Sequence, residues 1–200
     1  MSETVITHAD NSEPNAFTRA EIGWAPWLAP LPESELTLRH QDGLVDPSRA
    51  KSPYFMLLVR DPDVLAARTK TDKDIFYNVA DGLPRAEREL AATATSRFNG
   101  CIFCASVHAR FAAHHAGRGE DIDRLLADGT SVDLGERWNA IVDASIALSC
   151  TPPTFGETEV VRLRSVGLSD AEISDVIHGA AFFNWANRLM LSLGEPTPAK

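Results

Sequence analysis

The stretch Asn99-Gly100-Cys101-Ile102-Phe103-Cys104-Ala105-Ser106-Val107-His108 decides how this chain is read. Asn-Gly ends whatever helix precedes it, and Asn99 is the expected cap of a new helix running from about 101 to 117 and closed by Gly117. On that helix residues 101, 104 and 108 fall at i, i+3 and i+7, so two thiols and an imidazole share one stripe, with Cys104 and His108 a turn apart. Both cysteines lie in the first turn, where unsatisfied N–H groups and the positive end of the helix dipole favour thiolate over thiol. Their spacing also permits a reversible disulfide once the side chains rotate toward each other.

Zinc is the obvious competitor, since Cys and His are good ligands. From 101 to 108 a helix advances about 10 Å at roughly 1.5 Å per residue, whereas each ligand must approach one ion to about 2.0–2.3 Å. Further ligands would have to come from elsewhere, such as Cys150 or His178, and no second C-x-x-C or H-x-x-x-H motif supplies them. Neither a metal nor a cofactor is therefore expected. The plainer alternative is a pair of buried small residues beside an ordinary histidine. Against it stand the helix break, the histidine one turn on, and Glu89 twelve residues before Cys101.

Working outward, the pattern is helical almost throughout. Helices are expected over 53–59 and 62–78, the latter with apolar positions at Val64, Leu65, Ile75, Phe76 and Val79. Asp81-Gly82-Leu83-Pro84 is a turn that opens a helix from about 84 to 97, with Glu87 and Glu89 near its positive end. Further helices are expected over 121–128, 134–149, 157–166 and 169–193, the last opened by a capping box of Ser169 and Glu172. No strand ladder and no internal repeat is evident, so the expected class is an all-α, bundle-like fold. Residues 1–50 form an N-terminal arm and lead-in, and 51–195 the helical domain. Trp24, Trp27, Leu28 and Leu31 are too apolar for a free tail and are expected to lie across the body or a neighbouring subunit.

On the last helix Ile173, Ile177, Ala180, Asn184, Asn187 and Leu191 make one stripe, which puts two amides where apolar side chains belong. They need partners, either at a structural contact or at the edge of a pocket. Arg188 is expected to pair with an acid there, Cys150 to be a buried spectator, and Trp138 and Trp185 to anchor a core or interface.

The totals exclude some functions. A formal net charge of -9 over 200 residues leaves no basic cluster for a phosphate backbone. No apolar run approaches the roughly eighteen residues that a membrane span needs. Met1-Ser2-Glu3-Thr4-Val5-Ile6-Thr7 lacks both the basic start and the apolar stretch of a secretory signal, so a reducing cytoplasm is the expected compartment. There a cysteine pair reads as redox-active rather than as a structural staple.

In order, Glu89, Cys101, Cys104 and His108 spell E-x11-C-x2-C-x3-H, which resembles the alkylhydroperoxidase D (AhpD-like) branch of the carboxymuconolactone decarboxylase superfamily. The resemblance is strongest from about Leu83 to Gly117. The later Phe182-Phe183-Asn184-Trp185-Ala186-Asn187-Arg188 and the Trp- and Pro-containing arm are similar to the peroxidase-related subgroup. It implies an AhpD-like helical bundle, assembly into trimers or hexamers, and reduction of a hydroperoxide by a cysteine pair that an external dithiol or thioredoxin-like donor restores. Carried over by position, Cys104 is the peroxidatic cysteine, Cys101 resolves its sulfenic acid, and Glu89 with His108 is the proton relay. In AhpD a second histidine lies between the cysteines; Phe103 stands there here. A thioredoxin-like reading would instead make Cys101 the nucleophile. A disulfide reductase or adaptor serving another peroxidase, and a non-enzymatic oligomeric scaffold, remain as alternative functions.

Overall fold

Helix formers dominate from Leu38 onward, and the computed structural model is helical through most of that length. It describes residues 5–78 and 80–199; the first four residues of the arm and the apolar position Val79 lie outside the described residues, as does Lys200. The described elements are β1 (Ile22–Pro26), α1 (Leu38–Leu44), α2 (Pro53–Leu58), α3 (Pro62–Tyr77), α4 (Arg85–Phe98), α5 (Ile102–Ala116), α6 (Gly119–Asp128), α7 (Glu136–Ser149), α8 (Glu157–Ser165), α9 (Asp170–Leu193) and β2 (Gly194–Ala199). Among the described residues no helix is long and apolar enough to cross a membrane.

The bundle is built around α4. Every residue from Glu87 to Ser96 is buried, and the run Ala91-Ala92-Thr93-Ala94-Thr95-Ser96 is small enough for α5, α7 and α9 to pack closely about it. Its start is fixed by Arg88, whose buried guanidinium donates to the carbonyls of Ile75, Asp81 and Leu83 and pairs with Asp175. That clamp ties the α3–α4 turn down and sets the rotation of α4, which decides where Glu89 points. On α5 the chain ends as expected, with Gly117 in the left-handed region at φ 64°. The Ser169–Glu172 capping box opens α9, with Ser169 N–H donating to the Glu172 carboxylate at 2.7 Å.

Several expectations are corrected. The arm and the C-terminal residues form a two-stranded antiparallel sheet, β1 against β2, where no ladder was expected. Both strands contain proline and glycine, which depress strand propensity but are tolerated at sheet edges. Gly194 is required there: a Cβ would lie 2.3 Å from the Ala25 carbonyl oxygen and 2.4 Å from the Trp24 ring. A short helix, α1, also stands in the lead-in, capped by Thr37. Asn99 does not cap α5; Cys101 occupies the N-cap position, and the Asn99 amide instead donates to Asn184 and Asn187 at 3.0 Å each. Arg188 finds the backbone and side-chain oxygens of Asn184 rather than an acid. Of the four apolar arm residues, Trp24 and Leu31 are buried but Leu28 is exposed.

Candidate active site

The α4–α5 pair carries the site. Glu89 is 0% exposed, and its two carboxylate oxygens serve different partners. One accepts from Arg85, one turn earlier, at 2.5–2.6 Å; the other meets His108 Nδ1 at 2.5 Å. Arg85 is in turn held by the Phe76 carbonyl at 2.6 Å and lies over the Tyr77 ring. Burial alone would push the Arg85 guanidinium down, but the charge of Glu89 and the bonds to Glu89 and Tyr77 keep it above its ordinary value. A carboxylate facing Nδ1 selects the tautomer in which Nδ1 donates, leaving Nε2 as the nitrogen able to exchange a proton elsewhere. Phe76 and Phe183 hold the imidazole ring, with centroids 5.2 and 4.1 Å away.

Cys101 and Cys104 are free thiols, 2% and 6% exposed, in a cluster with Trp24, Tyr54, Phe182 and Met190. The Cys101 thiol is drawn below its ordinary value, chiefly because the Cys104 thiol donates to it; burial opposes this, and the Cys104 and Phe103 backbone N–H groups and the Asn187 amide assist. The Cys104 thiol is pushed well above its ordinary value, first by that donation and then by burial. Of the two sulfurs, Cys101 at the helix N-terminus is thus the one whose thiolate is favoured, and Cys104 the one whose thiolate is disfavoured.

A cavity of about 280 Å³ opens beside this pair. Glu89, Cys104 and His108 all line it, within walls that include Tyr54, Phe76 and Phe183. Cys101 lies on the far side of Cys104, against Trp24 of β1 and Met190 of α9. All four residues predicted from the spacing are thus brought together, but negative charge and cavity access fall on different sulfurs. Among the described residues no group of three His, Cys, Asp or Glu side chains stands close enough to hold a metal ion.

Three contributors were missed. Arg85 and Arg68 line the cavity, although a helical arginine ordinarily reads as surface. Trp24 reaches the cysteines from the arm and donates through Nε1 to the Met190 carbonyl at 3.2 Å. The two last-helix amides also divide their work. Asn184 bonds Ser149 at 2.9 Å and is structural, whereas Asn187 donates to Ser96 at 3.0 Å and bears on both thiols. Only the polar interruption of the α9 stripe signalled them.

A titration follows from these opposite shifts. In a Cys150→Ser background, thiolate absorbance at 240 nm should appear in two steps, one thiol ionising below the ordinary cysteine range and the other well above it. Replacing Cys101 with Ser removes the negative charge of Cys101 that helps to raise Cys104, so the remaining thiol should titrate lower than the upper step. Two overlapping steps at the ordinary value would show that the thiols are not shifted in opposite directions.

Residues 62–147 match the sequence pattern of the carboxymuconolactone decarboxylase family. No curated protein matches the chain. In fold it is similar to an uncharacterized peroxidase-related protein with an AhpD core from Ralstonia eutropha JMP134, at a TM-score of 0.69 and 22% identity, covering 82% of this chain and 88% of that one. A second uncharacterized peroxidase-related protein, from Silicibacter sp. TM1040, gives a TM-score of 0.67 at 20% identity over 92% of this chain and 95% of the other. The debrominase Bmp8 gives 0.65 at 16% identity, over 82% and 88%. The matched stretch spans both helices that carry Glu89, Cys101, Cys104 and His108, so over residues 62–147 the chain is similar to the carboxymuconolactone decarboxylase family, and its fold is that of the AhpD-like peroxidase-related proteins.

Proposed function

We propose that the protein is a thiol-dependent peroxidase that reduces hydroperoxides through a Cys101/Cys104 dithiol–disulfide cycle. The observation that carries this reading is a single aromatic-walled cavity lined by Cys104, His108 and Glu89, with Cys101 directly behind Cys104. Cys104 passes its proton to the Cys101 thiolate and attacks the terminal oxygen of R–O–O–H. The O–O bond breaks, Cys104 becomes a sulfenic acid, and the departing alkoxide takes the Nε2 proton of His108, which enters the step as the imidazolium with its Nδ1–H steadied by Glu89. Cys101 then returns its proton to His108 and attacks the Cys104 sulfur. The S–S bond forms and hydroxide leaves, taking up that proton as water. The net change is a thiol, a thiolate, the imidazolium proton and one hydroperoxide to a disulfide, an alcohol and water, and an external dithiol or thioredoxin-like donor restores the reduced pair.

The alternatives fit the site less well. An adaptor that passes electrons between proteins needs an accessible pair, and these thiols are almost wholly buried. A scaffold has no use for a buried carboxylate between a guanidinium and an imidazole, because desolvating such charges is costly. A homo-oligomer, trimer or hexamer, working in the cytoplasm as an antioxidant enzyme without nucleic-acid or membrane partners completes the proposal.

The test is turnover of cumene hydroperoxide with dithiothreitol as donor. Wild type should cycle, while Cys101→Ser mixed with peroxide before any dithiothreitol is added should release about one equivalent of alcohol and stop, its Cys104 trapped by a dimedone-type sulfenic acid reagent. Sustained wild-type turnover by Cys101→Ser would remove Cys101 from the cycle. Debromination of 2,3,4-tribromopyrrole without peroxide turnover would replace the reading with a dehalogenase, the activity named for the structural neighbour Bmp8.

A further inference from the structure

We propose that Arg68 and Tyr54 form an oxyanion-binding site in the cavity beside Cys104, so that the substrate is a small aromatic or branched organic molecule carrying a carboxylate-like group. The peroxidase reading supplies the reacting group of that substrate, whereas the anion site rests on its own residues.

Arg68 is 9% exposed, and among the described residues its Nε and Nη1 have no hydrogen-bond partner; neither has the hydroxyl of Tyr54, which is 7% exposed. Both residues line the cavity. A buried guanidinium with idle N–H groups is unusual, because desolvating a charge without replacing its hydrogen bonds is strongly unfavourable. The other arginines at the base of the bundle show what satisfaction looks like. Arg85 has Glu89 and the Phe76 carbonyl, and Arg88 has three carbonyls and Asp175. The guanidinium of Arg68 instead lies over the rings of Tyr54, Phe55 and Phe182, 5.3–5.8 Å from their centroids. Aromatic faces attract the charge but accept nothing from the in-plane N–H groups, which stay available to a bidentate acceptor.

Nearby groups do not supply that acceptor. The Thr69 hydroxyl is taken by Arg49, and Asp72, the other acid on the cavity wall besides Glu89, makes no hydrogen bond or ion pair with Arg68 among the described residues. The carboxylate of Asp72 bears on Arg49 more than the charge of Arg68 does. Burial pushes the Tyr54 phenol up to about 12, so it stays a neutral donor throughout the physiological range. Arg68 is near enough to Cys104 for its charge to favour that thiolate. A ligand whose anionic end meets Arg68 and Tyr54 is therefore held with its body among aromatic rings next to the reactive sulfur. A cavity of about 280 Å³ suits one substituted ring rather than a long acyl chain.

The test measures binding to the reduced protein by calorimetry, without turnover, using 4-isopropylbenzoate and its neutral isostere 4-isopropylbenzamide. Wild type should bind the carboxylate at least about 10-fold more tightly, a difference that one charge-assisted bidentate contact supplies. Arg68→Met should erase the preference, Arg68→Lys should keep part of it, and Tyr54→Phe should weaken the carboxylate alone by several fold. Should Arg68→Met fail to fold, Arg68→Lys and Tyr54→Phe decide, and an undiminished preference in both overturns the proposal. Equal affinity for the two compounds in wild type, or no binding of either, also overturns it. Because no peroxide is present, a protein that prefers the carboxylate yet turns over no hydroperoxide keeps its anion site and loses the peroxidase reading.

Discussion

Cys104→Ser should lower kcat/KM for an organic hydroperoxide by about 10³-fold or more while leaving the far-UV circular dichroism and the urea midpoint nearly unchanged. Serine is close to isosteric, and its hydroxyl can still donate to Cys101 as the thiol does. What it lacks is a sulfur able to become a sulfenic acid. Cys101 would keep its helix-terminal position but stays behind residue 104, away from the cavity. Cys104 lines that cavity together with His108. The direction of the charge, toward Cys101, makes this prediction discriminating. If the thiolate alone decided reactivity, Cys104→Ser would still consume one equivalent of peroxide and Cys101→Ser would consume none. Stopped-flow measurement of the first oxidation in both variants separates access from ionisation.

Glu89→Gln should slow that first oxidation by about 10²-fold, the scale of one general acid–base group, with KM changed little. The amide keeps the shape but loses the charge that fixes His108, and it leaves the Arg85 guanidinium facing a neutral partner. A loss of about 1–3 kcal/mol in stability should accompany it, read as a lower urea midpoint. The two effects are separable: Arg85→Lys keeps a cation beside Glu89 and should recover most of the rate relative to Glu89→Gln. A wild-type rate in Glu89→Gln would reduce Glu89 to a structural ion pair.

How far the sequence was legible follows from what each residue does locally. Helical periodicity, the capping box at Ser169 and the closing Gly117 are local signals, and their helices stand where the pattern put them. So does the stripe of Cys101, Cys104 and His108, since i, i+3 and i+7 are fixed by helix geometry alone. The sheet was not legible, because β1 and β2 lie at opposite ends of the chain and each is too short and too rich in proline to declare itself. Arg68, Arg85 and Arg88 were missed for another reason. Charge argues for the surface, and only the packed bundle reveals that one is clamped by carbonyls, one paired with Glu89, and one left open toward a cavity. Asn99 read as a cap because Asn favours that role, but a buried amide network with Asn184 and Asn187 competes for its side chain and prevails.

Trp24 links these levels. A residue of the arm, it is seated against α9 by its bond to Met190 and packs in the same cluster as both cysteines. The N-terminal segment therefore helps wall the site, which neither the spacing of the motif nor the helical pattern announces.

The central claim is that Cys101 and Cys104 cycle between dithiol and disulfide at the expense of a hydroperoxide. It is tested most directly by a free-thiol count on the reduced protein before and after one equivalent of cumene hydroperoxide, with peptide mapping of the product. The account predicts rapid loss of two thiols, recovered as a Cys101–Cys104 bridge with Cys150 still free; retention of all three thiols, or a bridge that includes Cys150, would contradict it.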